Sequence, residues 1–318
     1  MYCIAKKTRL SLHFLSQDAI LNRKCEERKE NIMKLKKLVA ITLSAVMCMA
    51  ALTGCGGKSD SAKKTAKVIE VDLTDEQYAF GVDKDQPDLL KEVNQFVKDM
   101  KSDGTFDEIC NRYFGDGTPV PVKSAAYDES KDQLVVATNA AFEPFEYMDG
   151  ENYVGIDMEI AKALADKLGK ELVIQNMDFD AVCLSVGQHK CDVAMAGLTI
   201  KPDREEYVAF SDPYYSASQK LITLSTDTEF DACKTADDVN KILEAKGSDL
   251  KIGFQNGTTG QFYCEGDDDW GFPGLKMESK GYKNGSLAVQ DLLNGNINYV
   301  IIDSAPAESI TSSINKMQ

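Results

Sequence analysis

Leu134-Val135-Val136-Ala137-Thr138-Asn139-Ala140-Ala141-Phe142-Glu143-Pro144-Phe145-Glu146-Tyr147, followed by Val154-Gly155-Ile156-Asp157, is the stretch from which the fold is read. Its first four residues are an apolar run of strand length. Ile156, Ile160, Leu164 and Leu168 then recur at helical spacing, with Asp157 expected as N-cap and Gly169 as C-terminal stop. A second strand is expected at Leu172-Val173-Ile174, a short helix from Phe179 to Gln188 and a third strand from Asp192 to Ala196. Such alternation predicts a parallel sheet flanked by helices.

Residues 236–310 repeat the theme. Helices are expected from Ala236 to Ala245, after Gly257, from Ser286 to Leu293 and from Ala305 to Ile314, with strands at Leu250 to Phe254 and Tyr299 to Ile302. Two such units predict a bilobal α/β protein whose ligand sits at strand ends, between the lobes. Residues 66–115 differ. Val68 to Val71 alternates like a strand. Leu89, Leu90, Val93, Phe96, Val97 and Met100 form one apolar helix face, and Phe106, Ile109, Cys110 and Tyr113 another. Two such helices without a sheet must pack on something later in the chain.

The 318 residues, 43% of them apolar, suffice for a large core, and a formal charge of −15 argues against nucleic acid and anionic membrane surfaces as direct partners. The charge is unevenly placed, since residues 1–54 hold ten of the 36 Lys+Arg and only four of the 51 Asp+Glu. The two histidines, His13 and His189, disfavour His-dependent triads and multi-His metal sites. None of the nine cysteines stands in C-x-x-C spacing. Cys183 with Cys191, and Cys233 with Cys264, are either disulfides of an oxidising exterior or buried thiols.

The amino terminus reads as an address. Lys34, Lys36 and Lys37 precede an apolar run from Leu38 to Ala51, too short to span a bilayer comfortably, and then Leu52-Thr53-Gly54-Cys55. This resembles a bacterial lipobox, which implies cleavage and a lipid on Cys55. Residues 33–55 are thus expected as a lipoprotein signal, 56–65 as a flexible tether and 1–32 as an upstream extension before translation from Met33.

The run Ala137 to Tyr147 with Val154 to Asp157 resembles the opening of the polar-amino-acid-binding proteins of ABC importers, the family 3 extracellular solute-binding proteins of type II periplasmic-binding fold. Further matching pieces follow in order: Met177-Asp178-Phe179, Ala196-Gly197-Leu198-Thr199-Ile200 with Arg204, Phe210-Ser211-Asp212-Pro213-Tyr214-Tyr215, Gly257-Thr258-Thr259-Gly260 and Ile302-Asp303-Ser304-Ala305-Pro306-Ala307. In that family a strand then returns to lobe 1 and two helices finish the chain. Here those pieces resemble residues 66–115, so circular permutation is expected. Residues 66–72 would be the last strand of lobe 2, 73–115 hinge and helices of lobe 1, 116–132 a linker joining the ancestral termini, 133–220 the main part of lobe 1 and 221–318 lobe 2. A strand-swapped oligomer and an incomplete tandem duplication are the competing accounts.

The resemblance implies a monomeric, lipid-anchored, extracytoplasmic protein that needs no cofactor or metal. It would deliver a polar L-amino acid to an ABC permease and its ATPase. Arg204 would clamp the ligand carboxylate with its planar fork. Thr199 and the Gly197 backbone would add hydrogen bonds, with Pro202 opening a helical turn toward the anion. Gly257 to Thr259 would offer N–H groups and hydroxyls, from Thr258 and Thr259, across the cleft. Asp303 would take the ammonium or, read locally, cap the next helix. Phe142 and Phe179 would sandwich the side chain or pack in the core. Asn139 and Glu143 are the specificity candidates, and hinge strands are expected near Gln219 to Thr223 and Val71 to Ala79. Two other functions compete: a dehydratase of the same fold acting on prephenate-type acids, and a ligand-sensing module for a separate receptor.

Overall fold

The computed structural model describes residues 63–317. The upstream stretch 1–32, the signal segment 33–55 with Cys55 and most of the tether lie outside the described residues. In chain order the strands and helices are β1 (Ala66–Val68), β2 (Glu76–Tyr78), β3 (Gly81–Asp83), α1 (Pro87–Ser102), α2 (Thr105–Phe114), β4 (Gln133–Thr138), β5 (Ala141–Phe142), β6 (Glu146–Asp149), β7 (Asn152–Val154), α3 (Ile156–Leu168), β8 (Glu171–Asn176), α4 (Val182–Gly187), β9 (Val193–Ala194), α5 (Pro202–Glu205), β10 (Val208–Phe210), β11 (Tyr215–Ala217), β12 (Gln219–Leu224), α6 (Ala236–Glu244), β13 (Lys251–Gln255), α7 (Thr259–Glu265), β14 (Glu278–Tyr282), α8 (Gly285–Asn294), β15 (Tyr299–Asp303) and α9 (Ser304–Met317). None of the described helices is long and apolar enough to cross a membrane.

Two five-stranded sheets organise two lobes. Lobe 1 has the order β10-β3-β9-β4-β8 and lobe 2 the order β1-β12-β15-β13-β14. Parallel pairing joins β4 to β8 and β9, and β13 to β14 and β15. The remaining strands are antiparallel additions, so each sheet is mixed. The strands β4, β8 and β15 carry unbroken apolar runs because both faces are covered. On β15, Val300 and Ile302 join one buried cluster while Tyr299 and Ile301 join the other. On β4, Leu134 and Val136 face Ile156, Ile160 and Leu164 of α3, whereas Val135 and Ala137 face Val182 and Val186 of α4. Each fully buried aliphatic side chain contributes about 1.5–3 kcal/mol.

Residues 66–115 belong to both lobes. β1 forms the edge of the lobe 2 sheet, pairing Ala66 with Leu224 and Val68 with Ile222. β3 lies between β10 and β9 inside the lobe 1 sheet although it precedes both in sequence. The apolar faces of α1 and α2 pack on lobe 1 through Val93, Phe96, Val97, Met100 and Ile109. Within this chain those helices find the cover that their amphipathic pattern demands. Residues 116–132 are not a free loop. Val122 exchanges two backbone hydrogen bonds with Tyr153 (2.7 and 2.9 Å), Ala125 N–H donates to Leu172 O (2.9 Å), and Val120 N–H donates to buried Glu159 (2.9 Å).

The structure corrects two local expectations. The N-cap of α3 is Gly155, not Asp157, which lies in the first turn and is buried. The hinge pair is β2 with β11, so the second crossing strand is Tyr215–Ala217 rather than Gln219 to Thr223. Of the two readings of the cysteines, the structure has the unpaired one: Cys110, Cys183, Cys191, Cys233 and Cys264 are all free thiols.

Gly155 adopts φ +134°, and a Cβ there would lie 2.1 Å from Phe145 O. Gly155→Ala should therefore cost about 3 kcal/mol. Gly150→Ala, at φ +61° with no atom within 4 Å, should cost about 1 kcal/mol. Denaturant unfolding of both variants checks the contrast, and equal losses would refute the backbone reading.

Candidate functional site

The cleft between the lobes is built from strand ends and helix starts. β9 leads into Gly197 and Thr199, α5 carries Arg204, β13 ends at Gln255 before Gly257 and α7, and β15 ends at Asp303. The hinge strand β2 supplies Glu76 and Tyr78.

Arg204 reaches across. One guanidinium nitrogen donates to Thr199 O of its own lobe (2.6 Å), the other to Gly257 O of lobe 2 (2.9 Å). Its guanidinium carbon lies 5.3 Å from the centre of the Phe179 ring. With Leu198 and Phe262 they line a cavity of about 220 Å³. A planar fork holding two carbonyls is geometrically ready to hold a carboxylate. Pro202 occupies the first turn of α5 as expected.

Glu76 is the residue that sequence reasoning missed. It is buried, and four donors converge on it. Thr199 and Thr259 hydroxyls donate to Oε2 (2.8 and 2.7 Å), while Thr74 Oγ1 and Gln219 Nε2 donate to Oε1 (2.6 and 3.0 Å). Thr199 belongs to lobe 1 and Thr259 to lobe 2, so one carboxylate joins both lobes at the hinge. Its sequence signal was weak, since it follows another acid, Asp75, and opens a strand of only three residues.

Asp303 is buried and accepts from Tyr78 Oη (2.5 Å). Burial, then the nearby charge of Glu76, pushes its carboxyl up to about 7. Asp157 accepts from Gly197 N–H (2.9 Å) and Tyr214 Oη (2.6 Å), and burial raises it to about 6. Glu146, fully buried, is raised well above the usual carboxylate range by burial and then by Asp157 and Asp303.

Several expected ligand donors are occupied within the protein. Gly197 N–H is held by Asp157, Gly257 N–H by Gln261 Oε1 (2.7 Å), and the Thr258 hydroxyl by Gln255 O (2.8 Å). Thr258 and Gly197 thus shape the cleft through bonds within the protein. Asn139 Nδ2 donates to Met177 O (2.7 Å), and its Oδ1 accepts from Gln255 Nε2 of lobe 2 (3.2 Å). Phe142 is buried against Gly197, whose Cβ position is 3.0 Å from the ring, and stacks with Phe145 at 6.2 Å. Phe179 instead lies under Arg204. Glu143 lines a separate cavity with Tyr147 and Glu308. Asp303 ends β15 and is the residue before α9 begins.

Two lysines also form ion pairs across the cleft. Lys201 of lobe 1, with only 2% of its side chain exposed, is bound by Asp203 and by Asp267 of lobe 2 (3.1 Å) and lies over the Phe262 ring at 4.5 Å. Lys283 of lobe 2 meets Asp178 of lobe 1 at 3.2 Å, in the open.

Two predictions follow from these charges. Asp303 and Asp157 bind protons more tightly folded than unfolded, where a carboxyl titrates near 3.8. Between about pH 4 and 7 the folded state therefore holds more protons, and raising the pH removes stability. The melting temperature of Asp303→Asn relative to wild type should rise across that window, and a flat difference would refute the assignment. Lys201→Met should enlarge the unliganded protein in X-ray scattering by freeing the lobes and should blunt the salt dependence of its radius of gyration. An unchanged radius would show that Lys201 does not hold the lobes together.

Comparison with known proteins places the chain. The sequence profile of the bacterial extracellular solute-binding proteins, family 3, matches residues 5–116 and 134–303. The arginine-binding extracellular protein ArtP of Bacillus subtilis is 29% identical over 202 residues, covering 59% of this chain and 75% of that protein. ABC transporter arginine-binding protein 1 of Escherichia coli is 33% identical over 175 residues, covering 55% of this chain and 64%, less than two thirds, of that protein. The solved structure of holo ArgBP from T. maritima aligns with a TM-score of 0.47 at 30% identity, over 60% of this chain and 78% of that one. With its two mixed sheets joined by a hinge pair and matched over most of its length, the chain belongs to the bacterial extracellular solute-binding proteins, family 3.

Proposed function

We propose that this protein captures a polar L-amino acid between its lobes, outside the cytoplasm, and delivers it to an ABC permease driven by its ATPase. The observation that carries the reading is that Thr199 bonds Arg204 through its carbonyl and Thr259 through Glu76, with Asp303 buried beside Glu76. A zwitterion brings a carboxylate for Arg204 and an ammonium for Asp303, and neither charge is then buried unpaired. Because its partners come from both lobes, the ligand binds the closed form better than the open one, and that difference drives closure. Binding to lipid through Cys55 and action as a monomer complete the proposal. Cys55→Ser, expected to shed the protein into the medium, checks the anchor.

The chain order is read as a circular permutation. Ala66 and Asn315 are hydrogen-bonded neighbours in lobe 2 (3.0 and 2.8 Å). The family profile leaves 117–133 unmatched between its two matched stretches, where the ancestral termini would have been joined. Moving residues 66–132 behind residue 317 through a short linker should give the same fold and the same ligand ranking. Loss of folding in that reordered chain would count against permutation.

A thermal-shift panel of L-amino acids tests the function. A ligand at a hundredfold its dissociation constant should stabilise the protein by about 2.7 kcal/mol. The shift should vanish in Arg204→Ala and Asp303→Ala. No shift with any amino acid, together with turnover of prephenate, would replace this reading with the dehydratase one.

A further inference from the structure

His189 is one of two histidines in the chain and stands outside the cleft, in the turn between α4 and β9. Its backbone N–H donates to Val186 O (2.8 Å), and at φ +59° it is, among the described residues, the one non-glycine in the left-handed region. Asp83 ends β3, and Asp85 follows in the turn before α1. β3 and β9 are paired through Val82 and Val193, and Asp83 N–H donates to Asp192 O (2.9 Å). The sheet therefore fixes the distance between the two turns and holds the imidazole of one against the aspartates of the other.

The two ring nitrogens have different surroundings. Nδ1 lies 3.0 and 2.9 Å from the two oxygens of Asp83, whose side chain is only 4% exposed. An ionised carboxylate accepts and cannot donate, so Nδ1 carries the proton. In the neutral ring Nε2 is then a bare lone pair, and it faces Asp85 Oδ2 at 3.5 Å. Two acceptors share no hydrogen bond, and the gap exceeds the roughly 2.7–3.2 Å of an N–H···O contact. It matches instead two ligands of one tetrahedral zinc ion, because metal–ligand distances of about 2.0–2.2 Å set the donor atoms about 3.4 Å apart. A buried carboxylate holding the opposite ring N–H is the arrangement that fixes the tautomer of a metal-bound histidine and raises its basicity. Donor atoms of Asp83, Asp85 and His189 all lie within 4.8 Å of one another. The imidazole and the Asp85 carboxylate are open to solvent, so an ion has a path in.

We propose that His189 Nε2 and the Asp85 carboxylate bind a Zn²⁺ ion at the surface of lobe 1, with Asp83 positioning the imidazole from its buried side and water completing the coordination. One imidazole and one carboxylate suit a borderline ion, whereas Ca²⁺ asks for six to eight oxygens. The ion competes only with a second proton on Nε2 and leaves the Nδ1 proton in place. Bound there, it ties the turn before α1 to the turn before β9. The site shares no residue with the cleft and does not depend on the amino-acid reading.

The test is titration of the full protein with Zn²⁺ followed by proton–nitrogen correlation spectra of the histidine rings. The hydrogen bond to Asp83 raises the His189 imidazole above its ordinary value, so the titration is run at about pH 8 to favour the neutral ring. Zn²⁺ should shift His189 Nε2 and leave Nδ1 protonated, the signals being assigned by their loss in His189→Ala. Ca²⁺ at the same concentration should leave the ring unmoved. Asp85→Ala should weaken the response to Zn²⁺ at least tenfold. Asp83→Ala should weaken it as much and release the tautomer, while Asp83→Asn, whose amide oxygen still accepts from Nδ1, should restore both. His189 and Asp85 are exposed, so replacing them leaves the fold in place. A His189 ring that ignores Zn²⁺, or that answers Ca²⁺ equally, would overturn the site. An unchanged response in Asp85→Ala would overturn it as well, and a tautomer unaltered in Asp83→Ala would overturn the role of Asp83.

Discussion

A carboxylate buried at a hinge is tolerable only if donors surround it, and at Glu76 those donors come from both lobes. Thr199 and Thr259 reach it only when the lobes are together. Thr74 and Gln219 hold it from the hinge side and keep its position fixed. Much of the cleft is arranged around this contact. Thr199 presents its hydroxyl to Glu76 and its carbonyl to Arg204, and Gln219 ties the start of β12 to the same point. Opening would break charge-assisted hydrogen bonds that water must then replace, so closure has an internal component before any ligand arrives.

A second layer of support is aromatic and acidic. Tyr78 donates to Asp303 while its ring meets Phe145 edge-on at 5.1 Å and Tyr215 at 5.7 Å. Tyr214 stacks on Phe80 at 4.3 Å and donates to Asp157, which in turn holds the Gly197 loop. The rings fill the volume under the hinge, and their hydroxyls satisfy the carboxyls that filling has cut off from water. This explains why Asp157, which looked like a helix cap, is a buried brace instead.

The regular architecture was legible because it rests on local patterns. The unbroken apolar runs of β4, β8 and β15 and the left-handed stop at Gly169 need no knowledge of distant residues. The order of the motifs also singled out Arg204, Thr199, Thr259 and Asp303 as candidates, and the structure sets Arg204 on the Thr199 carbonyl and links Thr199 to Thr259 through Glu76. What could not be read depends on pairing across the sequence. Glu76 is 123 positions from Thr199 and 183 from Thr259. The N–H of Gly197 looked free, but Asp157, 40 positions upstream, holds it. Residues 116–132 were composed like a loop, yet their backbone pairs with Tyr153 and Leu172.

The edge position of β1 has a mechanical consequence. Its ladder to β12 is three residue pairs long, and the Ala66 backbone is additionally gripped by Asn315. A pull arriving from the residues ahead of it loads lobe 2 first and reaches lobe 1 only through the hinge. Lobe 2 then behaves as the stationary jaw and the Arg204-bearing lobe as the swinging one. Peeling that short strand under tension would bare the edge of β12, a template for pairing with other chains.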